Sequence, residues 1–256
     1  MNDSIGAHAS CPCTIINATP AALWTEARAA CDDALAQGYA FVAILHGAES
    51  FANERLLIEQ DRQRAARFRQ PGDRHNFVLG RTMVHQLVGA RDDVTPRAFS
   101  VGAHGKPFLP DAPAYNLSHS GRWVACAVSQ CEPIGIDVET FAHLRNYHDL
   151  IATITHQTER HFIEQAPSDS RLVLFKRCWT RKEAVLKATG RGLSDDLQSI
   201  DVRLDRNEAV LDHPMPLRLM HLLVDEDQVT IALALSPSVS KVVAMFVDPA
   251  RGVKAA

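Results

Sequence analysis

The sequence predicts an α+β protein built from helices and small, mainly antiparallel sheets. Helical periodicity and short apolar stretches typical of strands alternate in both halves of the chain. Two of the strand candidates are separated by a tight-turn signal. The chain has 256 residues, enough for one large domain or two small ones. We therefore expect two subdomains of similar size, residues 1–120 and 121–256, divided near Ser120–Gly121.

Helical patterns dominate the first half of the chain. PAALWTEARAACDDALAQG (20–38) has helical periodicity and closes on a glycine, whereas YAFVAILHG (39–47) predicts a strand. Residues 50–90 are mostly helical, with a break at Pro71-Gly72. Glycine and proline punctuate residues 101–121, which predicts a loop with short extended pieces.

The second half of the chain adds strands and two helical regions. RWVACAVS (122–129) and EPIGIDVET (132–140) are predicted to be strands joined by a tight turn. Helical patterns follow at 146–165 and 169–189. Apolar or alternating stretches predict four more strands, at 198–205, 216–224, 228–236 and 241–248.

Composition and charge exclude several classes of function. The formal net charge is −3, so no basic surplus indicates nucleic-acid binding. No stretch approaches the roughly 18 apolar residues of a membrane span, and the opening residues do not resemble a signal peptide. The 6 cysteines form no C-x-x-C pair, and Cys11 and Cys13 are interpreted as reduced thiols. We expect a cytoplasmic enzyme or binding protein that contacts neither nucleic acid nor membrane.

The segment FKRCWTRKEAVLKATGRGL is a predicted helix ended by glycine. Trp179, Glu183 and Lys187 recur every four residues and therefore lie along one helix face. Trp179 is expected to pack in the core and fix the helix. A salt bridge between Glu183 and Lys187 would be worth only a few tenths of a kcal/mol, and a shared role toward a ligand is the alternative.

Two further carboxylates lie on a predicted strand. Asp137 and Glu139 in IGIDVET are two residues apart, so their side chains point to the same face. Solvent exposure at a strand end would explain them if they stood alone. With Glu183 they form a set of three carboxylates, which suits Mg²⁺ because this ion prefers oxygen ligands.

Polar and basic residues elsewhere in the chain would suit a phosphate-bearing ligand. In AYNLSHSGRW, two serines flank a histidine, and either phosphate binding or a turn stabilised by the serines would explain them. In HGKPFLP, Lys106 would meet a phosphate or point into water. The segment RFRQPGDRHNFVLGR is rich in basic residues, and such a run is usually a solvated helix face. Its basic residues are Arg67, Arg69, Arg74, His75 and Arg81.

Taken together and in this order, these segments resemble the 4′-phosphopantetheinyl transferases of the surfactin-synthetase-activating type. GKPFLP, NLSHSGRWVACAV, IGIDVE and the pattern W-x-x-K-E-A-x-x-K carry the resemblance, which spans residues 40–236. It implies two pseudo-symmetric α+β subdomains with the active site in the cleft between them. It also implies the large single-chain form of the family, and hence a monomer.

The resemblance implies a reaction of the holo-acyl-carrier-protein synthase type. Such enzymes transfer the 4′-phosphopantetheine arm of coenzyme A to a serine of an apo acyl or peptidyl carrier protein and release adenosine 3′,5′-bisphosphate. The implied metal ion is Mg²⁺, with Mn²⁺ as a substitute. By position, Asp137, Glu139 and Glu183 would surround it. Coenzyme A would contact these residues: Lys106 and Pro107 beside the adenine, Ser118 and His119 at the phosphates, and His75 and Arg81 at basic positions.

The chemistry of this transfer assigns roles to three residues. Glu183 is expected to accept the proton of the carrier serine as a general base. Lys187 would meet the pyrophosphate and stabilise or protonate the departing phosphate oxygen. His119 would hold the pyrophosphate in line for attack. Lys176 and Arg177, and the segment between Glu139 and Ser170, are predicted to contact the carrier protein.

Two other functions remain open from the residues alone. A three-carboxylate phosphodiesterase or nucleotidyl enzyme would use the same acids, but it would leave the GKP and SHS segments unexplained. A non-catalytic module that binds coenzyme A or a carrier protein would be expected to have lost at least one of the four central residues. All four are present: Asp137, Glu139, Glu183 and Lys187.

Overall fold

A computed structural model describes most of the chain and confirms the α+β class. The described residues are 13–15, 20–47, 49–89, 97–102, 105–140, 147–190, 197–212, 214–224 and 229–247. Within them the chain forms six α-helices and eleven strands. No helix in these ranges is long and apolar enough to span a membrane.

The elements follow one another along the chain with short connections. The helices are α1 (Pro20–Ala36), α2 (Glu59–Ala65), α3 (Pro71–Val88), α4 (Tyr147–Ile154), α5 (Gln157–Gln165) and α6 (Ser168–Thr189). The first six strands are β1 (Cys13–Ile15), β2 (Ala40–His46), β3 (Ser100–Val101), β4 (Pro107–Phe108), β5 (Ala114–Ser120) and β6 (Trp123–Ser129). The others are β7 (Ile134–Thr140), β8 (Glu208–Leu211), β9 (Leu217–Val224), β10 (Val229–Leu235) and β11 (Val242–Val247).

The strands form two larger sheets and one small ribbon. The five-stranded sheet has the order β1-β11-β2-β6-β5, and the four-stranded sheet has the order β7-β10-β9-β8. All pairs are antiparallel except those that β11 makes with β1 and β2. Strands β6 and β11 both follow Ser120–Gly121 yet belong to the five-stranded sheet, so the two sheets are interleaved along the chain. The division into residues 1–120 and 121–256 stays a prediction.

The two larger sheets pack face to face, and helices cover their outer faces. Alternate residues of β2, β6, β7 and β10 fill the layer between the sheets, among them Val42, Ala125, Ile136 and Ile231. Helices α1 and α3 cover the outer face of the five-stranded sheet, and α6 covers that of the four-stranded sheet. Strands β6 and β10 are buried along both faces, which explains their unbroken apolar runs.

Most predicted helices and strands are confirmed with small shifts of their ends. Pro71 opens α3 at its first turn, where its missing N–H costs nothing, so the predicted break marks a helix start. Gly190 ends α6 with a φ of 72°, as expected of a C-terminal glycine, whereas Gly192 lies outside the described residues. Cys126 and Cys178 are fully buried, and Cys11 also lies outside the described residues.

Two predictions about strands were wrong because the tertiary contacts of polar groups decided them. Residues 114–120 form a full strand, not a loop, because their polar side chains bond to β7. Residues 122–129 and 132–140 are strands, but they lie in different sheets instead of pairing.

The predicted strand at 198–205 is also absent. A 3₁₀ turn covers Leu197–Ser199, and irregular backbone follows it. Side chains of α6 take the place of a partner strand: Arg181 donates to the carbonyls of Val202 and Arg203 at 2.8 and 2.6 Å. The alternating pattern therefore reflects burial of Val202 and Leu204 without sheet pairing. The short strands β1 and β8 were not predicted.

Candidate active site

The candidate site lies where α6 crosses β7. The side chains of β7 alternate, so Ile136 and Val138 enter the core between the sheets while Asp137 and Glu139 face α6. Gly135 permits the close approach of the helix, because a Cβ at this position would lie 2.1 Å from the carbonyl oxygen of Ala184. The alternation of the strand and the glycine together bring the two acids beneath α6.

Asp137 is held by a lysine and a serine. It is 4% exposed, and its Oδ1 accepts hydrogen bonds from Lys187 Nζ at 2.7 Å and Ser118 Oγ at 2.9 Å. Its Oδ2 is buried and has no hydrogen-bond partner among the described residues. Burial raises the pKa of Asp137, and the Lys187 ammonium opposes this only in part.

Glu139 is held by a serine and a tryptophan. Its Oε2 accepts from Ser120 Oγ at 3.0 Å, and its Oε1 accepts from the indole Nε1 of Trp179 at 3.2 Å. Trp179 packs against the core cluster beneath α6, as predicted. Its hydrogen bond to a β7 carboxylate was not predicted.

Glu183 lies between the other two residues of its helix face. It is half-buried, and it makes no hydrogen bond to any residue in the described ranges. Burial raises its pKa first, and the charge of Asp137 raises it further. Lys187 bonds to Asp137 on the neighbouring strand and makes no hydrogen bond to Glu183. The acid and the lysine of this helix are therefore not a simple i, i+4 salt bridge.

The three carboxylates offer the chemistry of a metal site without its full convergence. Among the described residues, no three His, Cys, Asp or Glu side chains stand close enough together to hold a metal ion. The donor set nevertheless fits a divalent cation, since the pKa of Glu183 is raised by two like charges and Asp137 Oδ2 is buried without a partner.

The serines and the histidine of β5 point in opposite directions. Ser118 and Ser120 are buried and face β7, whereas His119 is exposed. Although His119 is exposed, the surrounding protein displaces part of its water, and this desolvation together with the Lys187 charge lowers its pKa. The ring is thus neutral near pH 7, and it would meet a phosphate by donating a hydrogen bond.

The GKP loop borders the larger cavity near this site. Lys106 and Pro107 line a cavity of about 820 Å³ that also reaches Thr189 at the end of α6. Lys106 Nζ donates to the carbonyl oxygen of Ile134 at 2.9 Å, and burial lowers the pKa of Lys106. The loop is therefore fixed to the first residue of β7.

The two basic residues of α3 differ in their surroundings. His75 lines a cavity of about 290 Å³ together with Gly121 and Arg122, next to the end of β5. Arg81 is 7% exposed, donates from Nε to Asp61 at 3.1 Å, and stacks on Phe99 at 3.9 Å from the ring centroid. The structure thus places His75 at a cavity and Arg81 in a buried ion pair.

The predicted contact of Lys176 with a carrier protein is wrong. Lys176 is fully buried and donates to the carbonyl oxygen of Thr140 at 3.3 Å, and burial lowers its pKa to about 8. Arg177 donates to Arg206 and Asn207. Part of the other predicted docking segment, residues 141–146, lies outside the described residues.

A second buried ion pair was missed in the sequence. Lys182 is fully buried and lies 2.9 Å from Glu159 Oε2, and its Nζ also donates to two backbone carbonyls. It anchors α6 to α5 and to the turn at 197–200. The lysine next to Glu183 in the pattern K-E-A therefore supports the helix, and it does not face Asp137.

Comparison with known proteins agrees with the segments that form the site. The sequence model of the family described as the 4′-phosphopantetheinyl transferase superfamily matches residues 133–230, which include β7, α6 and all three carboxylates.

Individual relatives extend this likeness over more of the chain. The 4′-phosphopantetheinyl transferase Sfp of Bacillus subtilis is 33% identical over 165 residues, which are 62% of this chain and 72% of the relative. HetI of Nostoc is 32% identical over 70% of this chain and 78% of its own length. The transferase psf-1 of Bacillus pumilus is 30% identical over 64% and 76%. At these identities and coverages, the chain belongs to the 4′-phosphopantetheinyl transferase superfamily.

Proposed function

We propose that the protein transfers the 4′-phosphopantetheine arm of coenzyme A to a serine of an apo acyl or peptidyl carrier protein. The observation that carries this proposal is the group formed by Asp137, Glu139, Glu183 and Lys187 between β7 and α6. Three acids and one ammonium beside a large cavity suit phosphoryl transfer, in which positioning and charge neutralisation do most of the work.

In this reaction the serine oxygen attacks the phosphorus that carries the pantetheine. A new phosphoester bond forms, the phosphoanhydride bond of coenzyme A breaks, and adenosine 3′,5′-bisphosphate leaves. Glu183 is our choice for the base that takes the serine proton, because its raised pKa favours proton uptake. Lys187 is suited to stabilise the leaving phosphate oxygen, after exchanging its bond to Asp137 for one to the substrate.

Asp137, Glu139 and Glu183 are the residues that would hold Mg²⁺ or Mn²⁺. When bound, such an ion would neutralise charge on the pyrophosphate and on the leaving group. The unpartnered Oδ2 of Asp137 supports this assignment, because a buried carboxylate oxygen without a donor is costly unless a cation or water satisfies it.

The cavities supply candidate positions for the rest of coenzyme A. We assign the adenine to the cavity beside Lys106 and Pro107, and the 3′-phosphate to the smaller cavity at His75. His119 is assigned to the pyrophosphate. Ser118 and Arg81, the other predicted contacts, are engaged by Asp137 and Asp61, so a phosphate would have to displace those partners.

Finer statements about the enzyme also belong to this proposal. We propose the holo-acyl-carrier-protein synthase type of reaction, a monomer, a cytoplasmic location and a transient complex with the carrier. The division near Ser120–Gly121 is proposed as the boundary of two subdomains.

Incubation with coenzyme A, Mg²⁺ and a panel of apo carrier proteins tests the proposed reaction. Mass spectrometry should show a phosphopantetheine-sized mass gain on at least one carrier. The same carrier with its acceptor serine changed to alanine, and the enzyme variant Asp137→Ala, should show none. Hydrolysis of coenzyme A without any mass gain on a carrier would instead support a phosphodiesterase.

A further inference from the structure

Three side chains of β5 join the two sheets. The backbone of β5 pairs with β6, and that of β7 pairs with β10, so the two strands share no sheet. The backbone N–H of Ile136 donates to Asn116 Oδ1 at 2.9 Å. Those of Val138 and Thr140 donate to Ser118 Oγ and Ser120 Oγ, both at 3.2 Å. These three bonds form a ladder of side chains between the sheets, with the period of two residues that both strands have.

Two of the three rungs also hold a carboxylate. Ser118 donates to Asp137, and Ser120 donates to Glu139. Each serine thus accepts from the strand backbone and donates to the acid one residue before that N–H. The third rung, at Asn116, accepts from the backbone of Ile136 and makes no hydrogen bond to Asp137 or Glu139.

The hydroxyls of both serines have little capacity left for another ligand. A hydroxyl donates one hydrogen bond and accepts two. Ser118 donates to Asp137 and accepts from Val138 N and from Lys187 Nζ at 2.8 Å, so all three positions are used. Ser120 donates to Glu139, accepts from Thr140 N, and lies 3.3 Å from the hydroxyl of Thr140.

Helix α6 completes the hold on each acid from the opposite side. Trp179 and Lys187 lie about two helical turns apart and bond to Glu139 and Asp137, respectively. Glu139 therefore has one donor on each of its two oxygens, and these donors come from two different elements. Two donors on separate oxygens fix the carboxylate plane, which a single donor would leave free to rotate.

We propose that Ser120 and Trp179 are positioning residues that fix Glu139 for its role beside Asp137 and Glu183. Strand β5 then acts as a template: the S-x-S spacing of Ser118 and Ser120 matches the D-x-E spacing of Asp137 and Glu139. This inference rests on the proposed function for the purpose of the hold, although the hold itself is a property of the protein without substrate. Ser118 belongs to the same template, and we assign its hydroxyl to Asp137 instead of a phosphate.

The first test needs neither metal nor substrate. The chain has 3 tryptophans, so its indole N–H signals are few in an NMR spectrum, and Trp179→Phe assigns the relevant one. Ser120→Ala should shift the Trp179 indole signal by more than its linewidth, because Glu139 is then free to move. Asn116→Ala removes a rung that holds no acid and should leave that signal in place. Ser120→Thr keeps the hydroxyl and should resemble the wild type.

The second test measures what the hold does for the site. Groups that orient metal ligands typically contribute about 10–100-fold to metal affinity or activity. Ser120→Ala should therefore weaken Mn²⁺ binding, measured by electron paramagnetic resonance, by about tenfold or more. It should lower kcat by a similar factor while the KM for the carrier protein stays constant. Asn116→Ala should change neither quantity, although it should lower the melting temperature.

Two results would overturn the inference. An unchanged indole signal in Ser120→Ala, or equal shifts in Ser120→Ala and Asn116→Ala, would show that the serine only joins strands. Wild-type Mn²⁺ affinity and kcat in folded Ser120→Ala would show that fixing Glu139 does not matter to the site. The indole measurement decides whether the hold exists even if the wild-type protein transfers no phosphopantetheine, so failure of the proposed function is recognised separately.

Discussion

Single residues in the site differ in how the protein meets their charge. Asp137 is buried and receives an ammonium, Glu139 receives two neutral donors, and Glu183 receives no hydrogen bond from the part of the chain that the structure describes. Like charges at this distance raise one another's pKa, and burial adds to the effect. The protein alone therefore leaves the acids short of positive charge, as expected of a site that binds a cation.

Removal of the lysine should mainly affect turnover. Lys187→Ala is expected to lower kcat about 10²-fold or more, as loss of a group that stabilises the departing oxygen does, and to change the KM for coenzyme A little. The exposed Lys241 offers a matched control, and Lys241→Ala should leave both constants unchanged. Steady-state kinetics with a carrier substrate measure the effect. A variant with unchanged kcat and weaker coenzyme A binding would contradict a role at the leaving group.

The raised pKa of Glu183 predicts a pH-dependent gain in stability on neutralisation. An unperturbed glutamate has a pKa of 4.5, and the folded protein raises it. The native state therefore holds this proton to higher pH than the unfolded chain, so stability falls as the pH rises from 4.5 through the raised value. Without metal, Glu183→Gln should be more stable than wild type at pH 7.

Urea unfolding at a series of pH values, in the presence of a chelator, measures this difference. The two proteins should converge in stability as the pH falls below 4.5, where Glu183 is protonated in both the folded and the unfolded state. A constant difference across this range, or a less stable variant at pH 7, would contradict the prediction.

At the scale of elements, the site depends on the contact between α6 and β7. Arg181 and Lys182 hold the helix from one side by donating to backbone carbonyls at 197–207. Gly135 permits contact with the strand on the other side. None of these three residues bonds to Asp137, Glu139 or Glu183 among the interactions of the described residues, yet they determine where Trp179, Glu183 and Lys187 lie.

A methyl group at residue 135 should separate the helix from the strand. Gly135→Ala would place Cβ 2.1 Å from Ala184 O, so backbone must move, and overpacking of this kind typically costs about 1–3 kcal/mol. We expect lower stability in urea and a loss of transfer activity greater than the loss of folded protein. Gly72→Ala in α3 is the control, because no atom lies within 4 Å of its Cβ position. A fully active Gly135→Ala protein would show that the close approach is not required.

At the scale of the whole molecule, the site lies at the junction of two interleaved sheets. Strand β5 belongs to the five-stranded sheet and β7 to the four-stranded sheet, and the ladder of side chains joins them. The last strand, β11, returns to the first sheet and pairs with β2. Folding of the five-stranded sheet therefore needs residues from both halves of the chain.

This interleaving predicts that residues 1–120 do not fold alone. Both neighbours of β2 in the sheet, β6 and β11, follow residue 120, so the isolated fragment would expose the edges and the inner face of β2. Circular dichroism and NMR of the fragment should show little fixed tertiary structure. Coexpression with residues 121–256 should restore a folded complex. A fragment 1–120 that unfolds cooperatively on its own would support two independent subdomains.

Much of the fold and the position of the acids could be predicted from the sequence. The periods of two and 3.6 residues located most strands and helices, and they placed Asp137 with Glu139 and Trp179 with Glu183 and Lys187 on shared faces. The spacing of Ser118 and Ser120 carried the same kind of information. Its match to the spacing of the acids would have been informative only if β5 had been recognised as a strand.

Periodicity, glycine positions and ordered motifs in the sequence by themselves determined the α+β class, the family and the set of acids. Which acid pairs with which donor was decided only by the tertiary structure. Lys187 bonds to Asp137 on another element, Trp179 bonds to Glu139, and Lys176 is buried although its sequence suggested a surface role. The physical reason is that local periodicity fixes the direction of a side chain on its own element, whereas its partner depends on how elements distant in sequence pack together.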